Sequence, residues 1–152
     1  RSYQAQFGVD PVIVRFARVF GADKKVDTKA MSQFMDKALS GEDIVLKSKG
    51  NQKYSYVYVA DAASGIIKVL LDGVSGEAYN VSDDDEGKTL GDYAQLMAGF
   101  AGKKVVFDIE DNASVSKATY ALLDTEKIRK IGWEPMYQVS EALERTYKIK
   151  KQ

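Results

Sequence analysis

Along residues 52–71 the spacing of apolar positions changes once, and the change marks a strand running into a helix. Tyr54, Tyr56 and Tyr58, with Val57 and Val59 among them, have the aromatic and β-branched content of a strand covered on both faces. From Asp61 onward the period becomes helical, with Ala62, Gly65, Ile66, Val69 and Leu70 recurring on one face. Asp61 stands where an N-cap carboxylate would accept the free N–H groups of a first turn, and Gly73 where a helix commonly ends.

The flanking segments repeat this alternation. Residues 1–8 have the form of a helix's last turns, Tyr3 and Phe7 on one face and Gly8 as the cap. With no N-cap and no methionine before it, this opening predicts a fragment of a longer protein. Pro11 precedes a short apolar run, Val12, Ile13 and Val14, that suits a buried parallel strand ending by Gly21. Ala30, Phe34, Ala38 and Leu39 stripe a helix closed by Gly41, and Ile44 to Leu46 form a short strand. Another strand is predicted from Ala78 to Val81. Thr89 caps a helix that turns Leu90, Tyr93, Ala94, Leu96 and Met97 inward, and Val105 to Phe107 lie in a further strand. Residues 111–124 read as a loop, and two final helices are split by Gly132 and Pro135. Strands and helices alternate throughout, so the class is α/β or mixed α+β, in a single domain.

Composition narrows the chemistry more than the fold. The 152 residues are 45% hydrophobic and 29% charged, enough for a real core. Lys plus Arg and Asp plus Glu number 22 each, and this balance gives no reason to expect nucleic acid or an anionic membrane as partner. No apolar run approaches the ~20 residues that span a bilayer. The absence of cysteine excludes thiolate nucleophiles and zinc–sulfur sites, and is compatible with the cytoplasm. The absence of histidine leaves any general base to a carboxylate, Lys, Tyr or another polypeptide segment. There is no Gly-x-Gly-x-x-Gly and no P-loop. Asp83, Asp84, Asp85 and Glu86 lack the alternate spacing of a calcium loop and read as a solvated turn, so no metal is expected. Tyr147 and Lys151 have the Tyr-x-x-x-Lys spacing of a reductase, but at a lysine-rich chain end where chance spacing is the simpler reading. Arg15 and Arg18 fall near the carboxyl end of a strand, where open α/β sheets place ligands; they fit surface or ion-paired arginines as well. No catalytic residue is assigned.

Four segments, in order, carry a family resemblance. They are Val14-Arg15-Phe16-Ala17-Arg18-Val19-Phe20-Gly21; Lys49 through Asp61; Gly76-Glu77-Ala78-Tyr79-Asn80-Val81; and Ile131-Gly132-Trp133-Glu134-Pro135. They resemble the Arg-x-x-Asn-Val-Tyr-Gly, Gly-x-Gly-x-Gln-x-Arg-x-Phe-x-Tyr-Val-x-Asp, Gly-Glu-x-Tyr-Asn-Ile-Gly and Leu-Gly-Trp-x-Pro segments of the extended short-chain dehydrogenase/reductases. The narrower resemblance is to the second half of the NAD-dependent epimerase/dehydratase family acting on nucleotide sugars.

The resemblance implies a parent enzyme in which NAD oxidises a sugar hydroxyl by hydride transfer before epimerisation or dehydration. On that reading residues 1–21 are a remnant helix and the last Rossmann-type strand, and residues 22–152 a nucleotide-sugar-binding lobe. NAD belongs to the parent, the catalytic Tyr–Lys pair and glycine-rich loop lie upstream of residue 1, and the parent is a homodimer. No cofactor is expected on this chain alone. Phe16 and Ala17 take the place near the nicotinamide. Arg18 replaces an Asn that touches the substrate, and Tyr54 replaces the Arg that usually contacts the nucleotide phosphates. Ser32, Gln33, Lys37, Ile44 and Val45 are expected to cover the base, and Gln52 matches the family. Two other readings remain: a non-catalytic binding module, and an NAD(P)-dependent reductase of a non-sugar substrate.

Overall fold

The computed structural model describes residues 2–23, 28–83, 87–109 and 120–152. Helix α1 (Ser2–Phe7) ends at Gly8, whose φ of 62° is left-handed and whose N–H donates to the Gln4 carbonyl at 3.1 Å. Strands β1 (Ile13–Phe16) and β2 (Arg18–Phe20) follow. They are one extended run that changes neighbours at Ala17, so the strand reaches well past the Val12–Val14 run that the apolar pattern marks. Helix α2 (Ala30–Leu39) leads to β3 (Ile44–Leu46), then β4 (Lys53–Tyr54) and β5 (Tyr56–Tyr58). Helix α3 (Val59–Asp72), β6 (Ala78–Val81), α4 (Leu90–Phe100), β7 (Val105–Phe107), β8 (Tyr120–Ala121), α5 (Glu126–Lys130) and α6 (Val139–Lys150) complete the chain.

Among the described residues every strand pair is parallel: β1 with β6, β2 with β5, β3 with β7 and β4 with β8. This is an α/β fold. Two strand breaks face each other and fix its middle. Ala17 N–H donates to the Val81 carbonyl at 3.1 Å, whereas the next amide, Arg18, donates to Ser55 O at 3.1 Å. Ser55 in turn donates its N–H to the Ala121 carbonyl, and its hydroxyl accepts from Leu123 N–H at 2.8 Å. Each break lets one strand serve two neighbours without leaving a buried amide unpaired.

The two faces of the β4–β5 run enter different cores. Tyr54 and Tyr56 join Phe34, Ile44, Tyr93, Met97 and Leu143 between α2, β3, α4 and α6. Val57 joins Val69, Tyr79, Val81, Ile128 and Trp133 under α3. Coverage on both faces is what the unbroken apolar character of this strand predicts.

Asp61 differs from its expected role. Helical geometry begins at Val59 with Tyr58 as N-cap, so Asp61 lies inside the first turn and caps nothing. The tyrosine-rich strand passes into the helix without a linker, which moves the start two residues earlier. Asp61 is instead buried, and its Oδ1 accepts the Met136 N–H at 2.8 Å. Asp83 acts similarly: its Oδ2 accepts Val139 N–H at 2.7 Å, at the first turn of α6. These two carboxylates tie residues 136–139 to the first turn of α3 and to the end of β6. The other acidic residues of that turn, at positions 84–86, lie outside the described residues. Most of the loop read at residues 111–124 does too, although its end forms β8 and bonds to Ser55.

Candidate functional site

The strand breaks at Ala17 and Ser55 open two adjoining cavities at the carboxyl ends of β1 and near β2 and β4. The first, of about 270 Å³, is lined by Arg18, Phe20, Met31, Gln52, Tyr54 and Leu90 among others. The second, of about 480 Å³, runs along Phe16, Ala17, Ser55 and residues 121–123. Arg18, Val19 and Lys29 border both. Arg18 and Lys29 are the charged residues in these two linings, and no carboxylate occurs there among the described residues. The shared wall therefore favours an anion, and the first cavity adds an apolar, aromatic slot beside it.

Arg18 is placed by its partner. Its guanidinium carbon lies 3.7 Å from the centroid of the Tyr54 ring, a stacked cation–π geometry. Tyr54 is itself buried, and its ring is held by the β4–β8 pairing and the first core. Gln52 shows a different feature. Its side chain is 7% exposed and its Nε2 donates to Ser48 Oγ at 3.4 Å, but its buried Oε1 has no partner. A buried unpaired acceptor costs on the order of 1–3 kcal/mol.

The structure brings Arg18, Ser32, Gln52 and Tyr54 to the first cavity, and Phe16 and Ala17 to the second. It leaves the other candidate residues outside both. Gln33 is exposed and donates through Nε2 to the Thr28 carbonyl, and Lys37 pairs with Glu42. Ile44 is buried in the first core, and Val45 is exposed on the opposite side of β3. Period two explains the split: consecutive strand residues cannot both face one ligand. Lys53 also misses the cavity. A Cβ on Gly87 would come within 3.3 Å of its ammonium, and its charge helps hold the Asp92 carboxyl low. Tyr147 and Lys151 do meet, Nζ to phenol oxygen at 3.4 Å, but at the end of α6 and in neither cavity. Sequence reading missed Lys29, Ser55 and residues 121–123. Nothing in local composition marks the partner exchange that turns Ser55 and β8 toward the site.

A model of the NAD dependent epimerase/dehydratase family matches residues 1–82. The chain belongs to that family. It is 26% identical over 147 residues to a putative UDP-glucose 4-epimerase of Methanocaldococcus jannaschii, covering 94% of this chain and 46% of that one. A UDP-glucuronic acid decarboxylase of Danio rerio is 25% identical over 147 residues, 95% of this chain and 34% of its relative. Among solved structures, UDP-glucose 4-epimerase from Thermotoga maritima with UDP-glucose superposes with a TM-score of 0.80 at 24% identity, covering 97% of this chain and 48% of that chain. UDP-N-acetylglucosamine 4-epimerase from Bacillus cereus gives a TM-score of 0.84 at 21% identity, over 99% and 52%. The chain spans less than half the length of these curated relatives and about half of those structures.

The family uses NAD, and the described residues do not build a site for it. A dinucleotide needs a glycine-rich strand-to-helix turn against which its pyrophosphate can pack. Among the described residues the direct strand-to-helix passage, at Tyr58–Val59, has no glycine. Gly50 and Gly91 pack on one another, a Cβ on Gly50 lying 2.9 Å from Gly91 Cα, with no room between them for a phosphate. Phe16 and Ala17 offer one cavity edge only. No step through NAD is derived from this chain.

Proposed function

We propose that this chain is the nucleotide-sugar-binding portion, corresponding to the C-terminal part, of an NAD-dependent nucleotide-sugar epimerase or dehydratase. The parent reaction takes hydride from a sugar hydroxyl to NAD before the ketone is epimerised or eliminated. The observation that carries the reading is the pair of cavities joined at Arg18. An apolar and aromatic slot formed by Phe20, Met31, Tyr54 and Leu90 suits a base. A cation stands at the junction for a diphosphate, and the second cavity leaves room for the sugar beside Phe16 and Ala17. On this reading Arg18, Ser32, Gln52 and Tyr54 bind substrate, and Phe16 and Ala17 face the nicotinamide of a cofactor bound by the rest of the parent.

Calorimetric titration of the chain with UDP-, dTDP- and CDP-sugars, and with NAD, tests the reading. Binding of one nucleotide sugar without NAD supports it and names the base. Binding of NAD alone overturns it.

A further inference from the structure

We propose that Arg18, held over the Tyr54 ring, is the anion anchor of this site, and that Tyr54 is the positioning residue that holds it there. The inference rests on the nucleotide-sugar reading and adds to it how the charge is held. Arg18 is exposed on β2, where a long side chain would otherwise sample many rotamers. The ring contact, 3.7 Å from the guanidinium carbon to the ring centroid, restrains that freedom at a wall both cavities share. A planar fork held by a ring face is suited to two oxygens of a phosphate, which a lysine ammonium cannot reproduce. The only contact recorded for Arg18's side chain among the described residues is this ring, so its charge is not spent on a carboxylate. Tyr54 and Arg18 also occupy two positions that each depart from the family pattern.

The test is titration of the chain and its variants with UDP and with inorganic pyrophosphate. Arg18→Ala and Arg18→Lys should both weaken the two ligands about tenfold or more. Tyr54→Leu should weaken them about 3- to 30-fold, the range of a cation–π contact, while Tyr54→Phe, which keeps the ring, should restore affinity. A structural role alone would not separate Phe from Leu in affinity at equal melting temperature. If Tyr54→Leu fails to fold, the exposed Arg18→Lys variant carries the test. Arg18→Lys binding as tightly as the unaltered chain, or Tyr54→Leu binding like Tyr54→Phe, overturns the inference and leaves the nucleotide-sugar reading standing. An unaltered chain that binds neither ligand overturns both.

Discussion

At the scale of single residues, the site and the core impose opposite demands. Gln52 keeps a buried oxygen without a partner at the edge of the first cavity. Gln52→Leu removes that acceptor at similar volume, so the ligand-free chain should melt at an equal or higher temperature while UDP affinity falls about tenfold. A variant that is less stable and binds UDP normally would make Gln52 purely structural. Asp61 also keeps a buried oxygen, Oδ2, without a partner, but away from both cavities. Its buried Oδ1 holds the Met136 amide, and Asp61→Ala would leave that N–H unpaired and a small void beside it. A loss of about 1–3 kcal/mol in urea unfolding is expected, with faster hydrogen exchange across residues 136–139. Gly65 is fixed by space: a Cβ would sit 2.7 Å from Val81 Cγ1 and 3.5 Å from the Trp133 ring. Its place in the helical apolar stripe was readable from sequence, but the close approach of β6 that requires glycine was not.

At the scale of elements, local chemistry was readable wherever it decided the outcome alone. Thr89 caps α4 as its spacing predicts: Asp92 N–H donates to Thr89 Oγ1, and Asp92 Oδ2 accepts the Thr89 N–H at 2.7 Å. Thr89→Ala should cost about 1 kcal/mol by thermal or urea unfolding. The Thr89 amide and hydroxyl hydrogen bonds also hold the Asp92 carboxyl below its ordinary value of 3.8. Because the folded value is the lower one, this contribution is complete above the unfolded value and is lost as pH falls through the folded one. Stability of the unaltered chain should therefore drop more steeply below about pH 4 than that of Asp92→Asn. Strands Ile44–Leu46 and Ala78–Val81 likewise matched their apolar runs. The breaks at Ala17 and Ser55 did not announce themselves, because Phe16, Ala17 and Arg18 make one extended stretch in sequence. Only the arrival of β6, β5 and β8, which lie far along the chain, decides which amide pairs with which carbonyl.

At the scale of the whole molecule, the two cores leave one broad surface unclaimed. On α3, Ile67, Leu70 and Leu71 are 59%, 70% and 73% exposed, although the helical stripe is apolar enough to be covered on more than one side. Tyr3 and Phe7 of α1 are also exposed, their rings 5.5 Å apart, and Gln4 donates to Ser75 Oγ just beyond α3. The sequence reading put Tyr3 and Phe7 on one face of a helix. It did not foresee the α3 face, because period alone ranks Leu70 with Val69 and does not say which side a neighbour covers. A contiguous face of this kind is unusual on a lone monomer, and leaving it wet opposes the ~25 cal/mol per Å² gained when apolar area is buried. The isolated chain should therefore associate with itself as concentration rises, measured by sedimentation velocity from micromolar upward. Ile67→Lys together with Leu71→Lys should shift the boundary to the monomer without lowering the melting temperature, since neither side chain enters a core. A strictly monomeric unaltered chain at high concentration would show that this face is tolerated in water, and the double variant would then change nothing.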